Sequence, residues 1–371
     1  MPPKNVKKAP EMVTMLHQEP NPSHPNMPIM LNRRLRLRAP ETLPQRPRSN
    51  SNVDPQDGPG KEITGAQYMG RSISLRWKIA IGVAIFLLAF WMSAGYIAAD
   101  FVTRAHHGSV RPRTEIGGKT LQPVTIQTED GLNLSAWYVP NSADRAVIVL
   151  AGIYGDRDGC VSNAEVYLDL GYSALLPDLR GTGESEGDRI SIGWHERKDL
   201  IACFNYLRGL GYKHVGAHGT SLGAATICFA AKDLPELAFA VLESSYDTID
   251  NALNNRLDLF NVPHFLAWPM KLSAQHFIGA GPREIQPLAH MPHCTAPTLV
   301  MGGDSEELLK VSETKDLFDR CAASVKRLHI FKGGRHEVFV RRFGDECRPL
   351  IQSFLEEAAA TWPAPAAAQH N

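Results

Sequence analysis

The chain has 371 residues, and its 39 lysine and arginine side chains balance 39 aspartate and glutamate side chains. The charges are unevenly placed: residues 1–78 carry 13 basic against 6 acidic side chains, a net of +7, which leaves the remainder at −7. Because the acidic remainder has no basic stripe, the composition argues against nucleic acid as a partner. The six cysteines contain no Cys-x-x-Cys pair, so a structural zinc is not expected, and Cys203 and Cys228 are predicted to be buried thiols.

The N-terminal segment, residues 1–70, is predicted to be disordered. Twelve prolines precede Lys61, aromatic residues are few, and no hydrophobic periodicity is sustained. Such a segment cannot bury enough apolar surface to offset the conformational entropy that ordering would cost. An alternative start at Met69, directly before Gly70, would remove it.

Residues 79–99 form an uncharged apolar segment between Lys78 and Asp100. An α-helix rises about 1.5 Å per residue, so about 20 apolar residues cross the hydrocarbon core of a bilayer. A buried core helix would show a polar face, and a signal peptide would have a shorter apolar stretch before a small-residue cleavage site. We therefore predict a single transmembrane helix. The basic N-terminal tail favours a cytoplasmic N-terminus and an exported body, although three arginines also follow the span.

Residues 110–361 alternate between predicted strands and helices, which is typical of one α/β domain. A hairpin with its turn at residues 129–131 opens the domain, and the later strands are unbroken apolar runs that suit parallel strands covered on both faces. We predict a doubly wound, mostly parallel eight-stranded sheet, with helices such as residues 197–210 between its strands. The predicted strands are Leu121–Thr128, Leu132–Val139, Ala146–Leu150, Ser173–Leu176, His214–Ala217, Phe239–Leu242, Thr298–Met301 and Arg327–Phe331.

Residues 246–290 interrupt this alternation with a long insertion of mixed apolar, proline and histidine character. Long insertions in compact domains are commonly lids or binding loops, and we predict a helical lid; a packed helical excursion is the alternative. Six large apolar residues are expected to form the underside of this lid: Phe260, Phe265, Leu266, Trp268, Met270 and Phe277.

The segment at residues 219–223, Gly-Thr-Ser-Leu-Gly, fits the pattern G-x-S-x-G. It follows the apolar strand at residues 214–217 and opens a predicted helix. A sharp strand-to-helix turn forces its serine into a strained conformation, which is tolerable only with glycine at both flanking positions, Gly219 and Gly223. This layout predicts Ser221 as a nucleophile, and a serine needs a neighbouring base to accept its proton.

Together with two further motifs, this segment resembles the α/β-hydrolase superfamily, and the resemblance covers residues 120–357. Residues 177–185 resemble the D-x-R-G-x-G-x-S loop after the fourth strand, and the later Gly-Gly-Arg-His resembles the G-x-x-H near the C-terminus. A single anchor ahead of the fold is similar to the membrane-bound α/β-hydrolase-domain proteins. The family's chain order of nucleophile, acid and histidine is satisfied by Ser221, Glu306 and His336.

His336 is the predicted general base. It follows the last strand and a pair of glycines, where a loop can carry the imidazole over Ser221. The family usually reads G-x-x-D after the seventh strand, and aligning that glycine with Gly303 places Glu306 in the acidic position. Asp304 is the alternative acid, because either carboxylate could orient the imidazole and stabilise its cation.

The oxyanion hole of such an enzyme needs two backbone N–H donors. One is expected from Leu222, the residue after the nucleophile, and by resemblance the other comes from Ile153 in the loop after the third strand. Three polar residues of the loop after the fourth strand, Asp178, Arg180 and Ser185, are predicted to lock that loop rather than to serve the site.

These features predict a membrane-anchored serine hydrolase of ester or thioester bonds that acts through an acyl-enzyme. The expected substrate is a small-molecule acyl ester or a lipid, with no cofactor and no metal, since phosphate-loop and zinc-protease motifs do not occur. A serine peptidase or amidase of the same fold is one alternative, and a non-catalytic anchored binding module is another. The oligomeric state is left open.

Overall fold

A long apolar helix, α1 (Leu75–Thr103), begins the part of the chain that the computed structural model describes, residues 73–362. It includes the whole segment predicted to span a membrane. Side chains from Leu75 to Phe90 are exposed, whereas Gly95, Ala99 and Thr103 are buried. Within the described residues, α1 is the helix that is long and apolar enough to cross a bilayer. The N-terminal segment predicted to be disordered lies outside the described residues.

Eight strands form one mostly parallel sheet, in the spatial order β8-β7-β6-β5-β3-β4-β2-β1. The strands are β1 (Gln122–Gln127), β2 (Asn133–Val139), β3 (Arg145–Leu150), β4 (Ser173–Pro177), β5 (His214–Thr220), β6 (Ala240–Glu243), β7 (Thr298–Gly303) and β8 (Lys326–Phe331). Strand β2 runs antiparallel to both of its neighbours, β1 and β4, and the other neighbouring pairs in this sheet are parallel. The predicted eight-stranded doubly wound sheet is therefore confirmed, and the loops that follow its parallel strands share one edge.

Helices cover both faces of the sheet, which is why its strands read as unbroken apolar runs. Neighbouring residues of β3 show this, because Val147 packs into one core and Ile148 into the other. The helices outside the later insertion are α2 (Val161–Asp169), α3 (Glu196–Gly209), α4 (Leu222–Ala230), α8 (Val311–Arg320), α9 (Phe339–Arg342) and α10 (Gly344–Ala359). Helices α2 and α10 cover the core that contains Val147, and α3, α4 and α8 cover the core that contains Ile148.

The insertion between β6 and β7 is helical, as predicted. It contains α5 (Ile249–Leu259), α6 (Trp268–Ile278) and the short α7 (Pro287–His290). The shorter elements of the fold are the 3-10 helices Arg157–Cys160, His264–Ala267 and Met291–His293, and the two-residue strand pairs His106–His107 with Thr182–Gly183 and Glu115–Ile116 with Lys119–Thr120.

The loop after β4 is held by its own polar groups. Buried Asp178 accepts hydrogen bonds from the backbone N–H groups of Arg157 (2.7 Å) and Glu184 (2.9 Å), and Ser185 Oγ donates to the Asp178 carbonyl (2.7 Å). Arg180 pairs with Asp199 at 2.7 Å. These contacts agree with the structural role predicted for Asp178, Arg180 and Ser185.

Candidate active site

The turn between β5 and α4 holds Ser221 in a strained conformation, with φ 54° and ψ −110°. A Cβ on Gly219 would lie 2.2 Å from the carbonyl carbon of Gly223, and a Cβ on Gly223 would lie 2.7 Å from Leu150. No side chain larger than hydrogen fits either flanking position without a backbone shift. The two glycines therefore permit the strained turn that presents the serine hydroxyl at the carboxyl edge of the sheet.

Three side chains that are far apart in the sequence meet at this edge. His336 Nε2 lies 3.1 Å from Ser221 Oγ, and His336 Nδ1 lies 2.9 Å from Glu306 Oε2. The side chain of Glu306 is 1% exposed and that of His336 is 23% exposed, so the carboxylate is shielded while the imidazole reaches the cleft. A nucleophile within hydrogen-bond reach of a base, itself oriented by a carboxylate, is the arrangement that activates a serine.

The two candidate acids occupy different surroundings. Glu306 Oε1 accepts hydrogen bonds from Ser244 Oγ (2.7 Å) and from the N–H of Gly303 (2.8 Å), which leaves Oε2 for His336. Asp304 is exposed, and its Oδ1 accepts from the N–H of Gly333 at 2.6 Å. The hydrogen bond from that N–H lowers the pKa of Asp304. The Asp304 carboxylate thus contacts the glycine turn ahead of His336. Of the two carboxylates, Glu306 is the one in contact with the imidazole.

A second residue near the acid was not identified from the sequence. Ser244 follows β6 with φ 51°, a left-handed conformation that is uncommon for a residue other than glycine. Its hydroxyl reaches Glu306 across 62 positions of sequence. A lone serine after a strand carries no local signal of such a contact, because the contact depends on the adjacency of β6 and β7.

Beneath the serine lies a buried polar network centred on Glu243, the last residue of β6. Its carboxylate accepts hydrogen bonds from Thr220 Oγ1 (2.8 Å) and from the N–H of Phe339, and it lies 3.0 Å from His218 Nε2. Burial alone would raise the pKa of Glu243, but hydrogen bonds, that with His218 first, hold it below its ordinary value. Because Phe339 is three residues after His336, Glu243 ties the histidine loop to the sheet. His218 is fully buried within this network.

The two predicted oxyanion donors lie on either side of the serine. Leu222 is the first residue of α4, and Ile153 lies in the loop after β3; both line the same cavity as Ser221. Among residues 73–362, the N–H groups of Ile153 and Leu222 donate to no other protein group. Both N–H groups are therefore available to an oxygen that develops negative charge next to Ser221.

The serine opens into a cavity of about 380 Å³ whose lining is almost entirely apolar. Its walls come from α5 and α6 of the insertion, from the loop that carries Ile153, and from the last turns of α1. The α1 residues on this wall are Ala99, Phe101, Val102 and Thr103. The helix predicted to be an anchor thus also encloses the space in front of the nucleophile.

The predicted apolar underside of the lid is wrong for most of its residues. Phe260, Phe265, Leu266 and Trp268 are between 43% and 78% exposed, and of the six residues only Met270 lines the cavity. The face of α6 toward the cavity carries residues at helical spacing, which are Met270, Ala274 and Ile278. On α6, Trp268 and Phe277 lie off this face, while Phe260 and Phe265 precede α6 and are exposed.

The outward face of the insertion packs against α1. Trp91 Nε1 donates a hydrogen bond of 3.0 Å to the carbonyl of Leu266, and the rings of Tyr96 and Phe277 are 5.0 Å apart. A Cβ on Gly95 would lie 2.4 Å from Pro269 Cβ, so the backbones of α1 and α6 approach closely at this glycine. The last third of α1 is therefore part of the folded body, while its first half is exposed.

Two family models match the chain. The model of the X-Pro dipeptidyl-peptidase (S15 family) matches residues 130–297, and that of the serine aminopeptidase, S33, matches residues 283–341. The uncharacterized protein YqkD of Bacillus subtilis is 27% identical over 245 residues, which cover 62% of this chain and 78% of YqkD. An uncharacterized membrane protein of Saccharomyces cerevisiae is 22% identical over 244 residues, which cover 65% of this chain and 81% of that protein.

Solved structures share the fold. The esterase Pf2001 of Pyrococcus furiosus superposes with a TM-score of 0.58 at 24% identity, covering 68% of this chain and 98% of the esterase. The strand order, the serine turn and the matches to the two family models define a serine hydrolase. The chain has the α/β-hydrolase fold, and the two family models support a serine hydrolase of that superfamily.

Proposed function

We propose that the chain is a membrane-anchored serine hydrolase that cleaves carboxylic ester or thioester bonds of acyl, lipid-like substrates. One observation carries this proposal: the Ser221 hydroxyl, 3.1 Å from His336, opens into an apolar cavity whose wall includes the candidate membrane helix. An apolar cavity with few polar groups at the reacting centre suits an acyl chain that ends in an ester.

In the first half of the proposed reaction, Ser221 Oγ attacks the acyl carbonyl carbon while His336 Nε2 takes its proton. Glu306 holds the imidazole in the required orientation and stabilises the imidazolium. The N–H groups of Ile153 and Leu222 stabilise the oxyanion of the tetrahedral intermediate, at about 2.7–4 kcal/mol for each donor. His336 then protonates the leaving alcohol or thiol, and an acyl-enzyme remains on the serine.

In the second half, water replaces the leaving group. His336 removes a proton from the water, whose oxygen attacks the acyl carbon. The bond to Ser221 Oγ then breaks as His336 returns the proton to that oxygen, which releases the free acid and restores the serine. The same residues serve both halves, so the reaction requires neither cofactor nor metal. Buried, hydrogen-bonded Glu306 contacts His336 Nδ1 in both halves, which leaves Nε2 to take up and return protons.

The membrane location is part of the proposal. Helix α1 has 29 residues and a length of about 43 Å, which exceeds the roughly 30 Å hydrocarbon core of a bilayer. Its exposed first half suits contact with lipid, and its last turns suit the interface, where they wall the cavity. Exposed Phe260, Phe265 and Trp268 on the neighbouring insertion would extend this lipid contact. The N-terminus is proposed to be cytoplasmic and the hydrolase domain to lie on the exported side.

Turnover of matched substrates tests the reaction class. The full-length chain in detergent micelles is given oxygen esters, thioesters and peptide amides that carry the same acyl group, with Ser221→Ala as the control. We expect hydrolysis of the esters and thioesters, increasing with acyl chain length, and none by the variant. Faster cleavage of the amides would overturn the ester assignment.

A serine peptidase is the second candidate function. It is favoured by the family models, because the S15 model is that of an X-Pro dipeptidyl-peptidase and the S33 model that of an aminopeptidase. The almost wholly apolar cavity is less suited to a peptide, whose backbone amide groups need hydrogen-bond partners when they are buried. Peptide amides with an X-Pro N-terminus separate the two candidates in the same assay.

A further inference from the structure

A cation without an acidic partner lies in the wall of the apolar cavity. Three charged side chains line this cavity, Asp250, Arg256 and Lys271. Lys271 Nζ is 2.6 Å from Asp250 Oδ1, so these two charges offset each other. Arg256 forms no ion pair with any residue between positions 73 and 362. The cavity lining therefore carries one uncompensated positive charge.

Most of the hydrogen-bonding capacity of Arg256 is unused. A guanidinium group has five N–H donors, and in Arg256 only Nη1 has a protein acceptor in the described part of the chain, the carbonyl of Ala252 at 2.7 Å. Burial lowers the pKa of Arg256, but an arginine stays protonated at physiological pH. A partly buried cation is costly unless a charged or polar group compensates it. A ligand that brings an anion into the cavity would supply that compensation.

Glu313 is the residue that could otherwise compensate this charge. The charge of Glu313 acts to raise the pKa of Arg256, but no ion pair joins the two side chains in the described residues. Glu313 Oε1 instead accepts from Asn255 Nδ2 at 2.7 Å, and burial raises the pKa of Glu313. Glu313 therefore contacts Asn255, and the guanidinium of Arg256 has no carboxylate partner among residues 73–362.

We infer that Arg256 binds an anionic group of the ligand, a phosphate or carboxylate, while the acyl ester lies at Ser221. The inference rests on the proposed function and narrows its substrate class to acidic amphiphiles. A planar guanidinium can bind a phosphate or carboxylate through two parallel hydrogen bonds, which gives both affinity and orientation. The volume of about 380 Å³ is at the lower end of the roughly 300–1,000 Å³ that ligand sites occupy, so a lipid with one acyl chain fits best.

A matched lipid pair tests this role by binding, independently of catalysis. The pair is 1-acylglycerol and 1-acylglycerol 3-phosphate with the same acyl chain, and the protein is the full-length Ser221→Ala chain in detergent micelles. We expect the phosphate-bearing lipid to bind about 10- to 100-fold more tightly, the range for a hydrogen bond to a charged group. Adding Arg256→Gln should abolish this preference and change the affinity for the neutral lipid less than about twofold, whereas Arg256→Lys should keep part of it.

Glu313→Gln is the control for a structural role. If Arg256 serves the ligand, Glu313→Gln keeps the preference for phosphate. If Arg256→Gln and Glu313→Gln lower the melting temperature alike and weaken both lipids equally, Arg256 is a partner of Glu313 and the inference is overturned. Inorganic phosphate alone is measured in parallel, and binding as tight as that of the phosphate-bearing lipid would identify a free anion, rather than a headgroup, as the ligand of Arg256.

Turnover by the wild-type chain separates this inference from the proposed function. Hydrolysis of both lipids with equal kcat/KM and equal binding overturns the anion site and leaves the esterase proposal intact. Tighter binding of the phosphate-bearing lipid without hydrolysis of either lipid supports the anion site and counts against the esterase proposal.

Discussion

Ser244 Oγ donates a hydrogen bond of 2.7 Å to Glu306, on the carboxylate oxygen opposite the one that contacts His336. The strained φ of 51° at Ser244 directs the chain after β6 toward β7. The hydroxyl thereby fixes the carboxylate that in turn orients the imidazole. Ser244 is a positioning residue in this account, since it touches neither Ser221 nor the proposed substrate.

Ser244→Ala tests that positioning role. Loss of a hydrogen bond to a charged group costs about 1.5–3 kcal/mol. Only part of this cost affects the orientation of the imidazole, so we expect kcat to fall about tenfold with little change in KM. Ser245→Ala is the matched control, because Ser245 is buried next to Ser244 but its hydroxyl donates to the adjacent carbonyl of Tyr246 rather than to Glu306. A fall in kcat of equal size in both variants would show a general loss of packing instead.

The choice between the two acids leads to a second prediction. Glu306→Gln keeps the shape of the side chain but removes the charge that stabilises the imidazolium, and we expect kcat for ester hydrolysis to fall by about 10³- to 10⁴-fold. Asp304→Asn alters exposed contacts with Gly333 and Ser305, neither of which reaches His336, so kcat should change less than about threefold. An inactive Asp304→Asn beside a nearly normal Glu306→Gln would reverse the assignment.

Much of the fold follows from local sequence pattern. A hairpin pattern predicts the first two strands and unbroken apolar runs predict the other six, and the glycines at 219 and 223 predict the strained turn at Ser221. The strand β5 extends to Thr220, three residues beyond the prediction, because polar and glycine residues continue the ladder where apolar character has ended. Hydrophobic pattern marks the interior of a strand better than its end.

The site could be predicted only where a motif names a residue. Ser221 and His336 follow from motifs, and Glu306 follows from its spacing after Gly303. Ser244 and Glu243 act across neighbouring strands, and that proximity is set by the strand order rather than by any nearby residue. The predicted apolar underside was wrong for Phe265 and Trp268, because apolar composition does not reveal which residues of the insertion face the cavity.

The network of Glu243 predicts a pH dependence of stability. Hydrogen bonds hold its folded-state pKa below the ordinary value of 4.5, so its ionised form stabilises the fold above about pH 4.5. This contribution is lost as the pH falls through the lowered folded-state value. Glu243→Gln should lower the melting temperature by about 3–6 °C at neutral pH and less below pH 4.

Thermal unfolding of both proteins between neutral pH and pH 3 provides the measurement. The two curves of melting temperature against pH should converge as the pH falls, because the wild-type chain loses a stabilisation that the variant lacks. Parallel curves would mean that Glu243 is not ionised in the folded protein.

The contact between α1 and the insertion is tested by a pair of glycines in one helix. A Cβ at Gly95 would lie 2.4 Å from Pro269 Cβ and 2.7 Å from the backbone nitrogen of Met270, whereas a Cβ at Gly82 meets nothing within 4 Å. Overpacking costs about 1–3 kcal/mol, so Gly95→Ala should displace α1 from the cavity wall and lower kcat/KM for long-chain esters about tenfold. Gly82→Ala should leave it unchanged.

Short-chain esters serve as the internal reference for this pair. They need less of the cavity, so Gly95→Ala should affect their hydrolysis less than that of long-chain esters. Equal activity of the two variants on long-chain esters would show that α1 is an anchor without a part in the substrate cavity.

Covalent labelling distinguishes an activated Ser221 from an ordinary serine. A fluorophosphonate reacts with a serine hydroxyl only when a neighbouring base activates it, and mass spectrometry of the digested protein locates the adduct. We expect one adduct, on the peptide that contains Ser221. The adduct should be absent from Ser221→Ala and should form far more slowly in His336→Ala. A folded wild-type chain that remains unlabelled, or that is labelled at another serine, would contradict it.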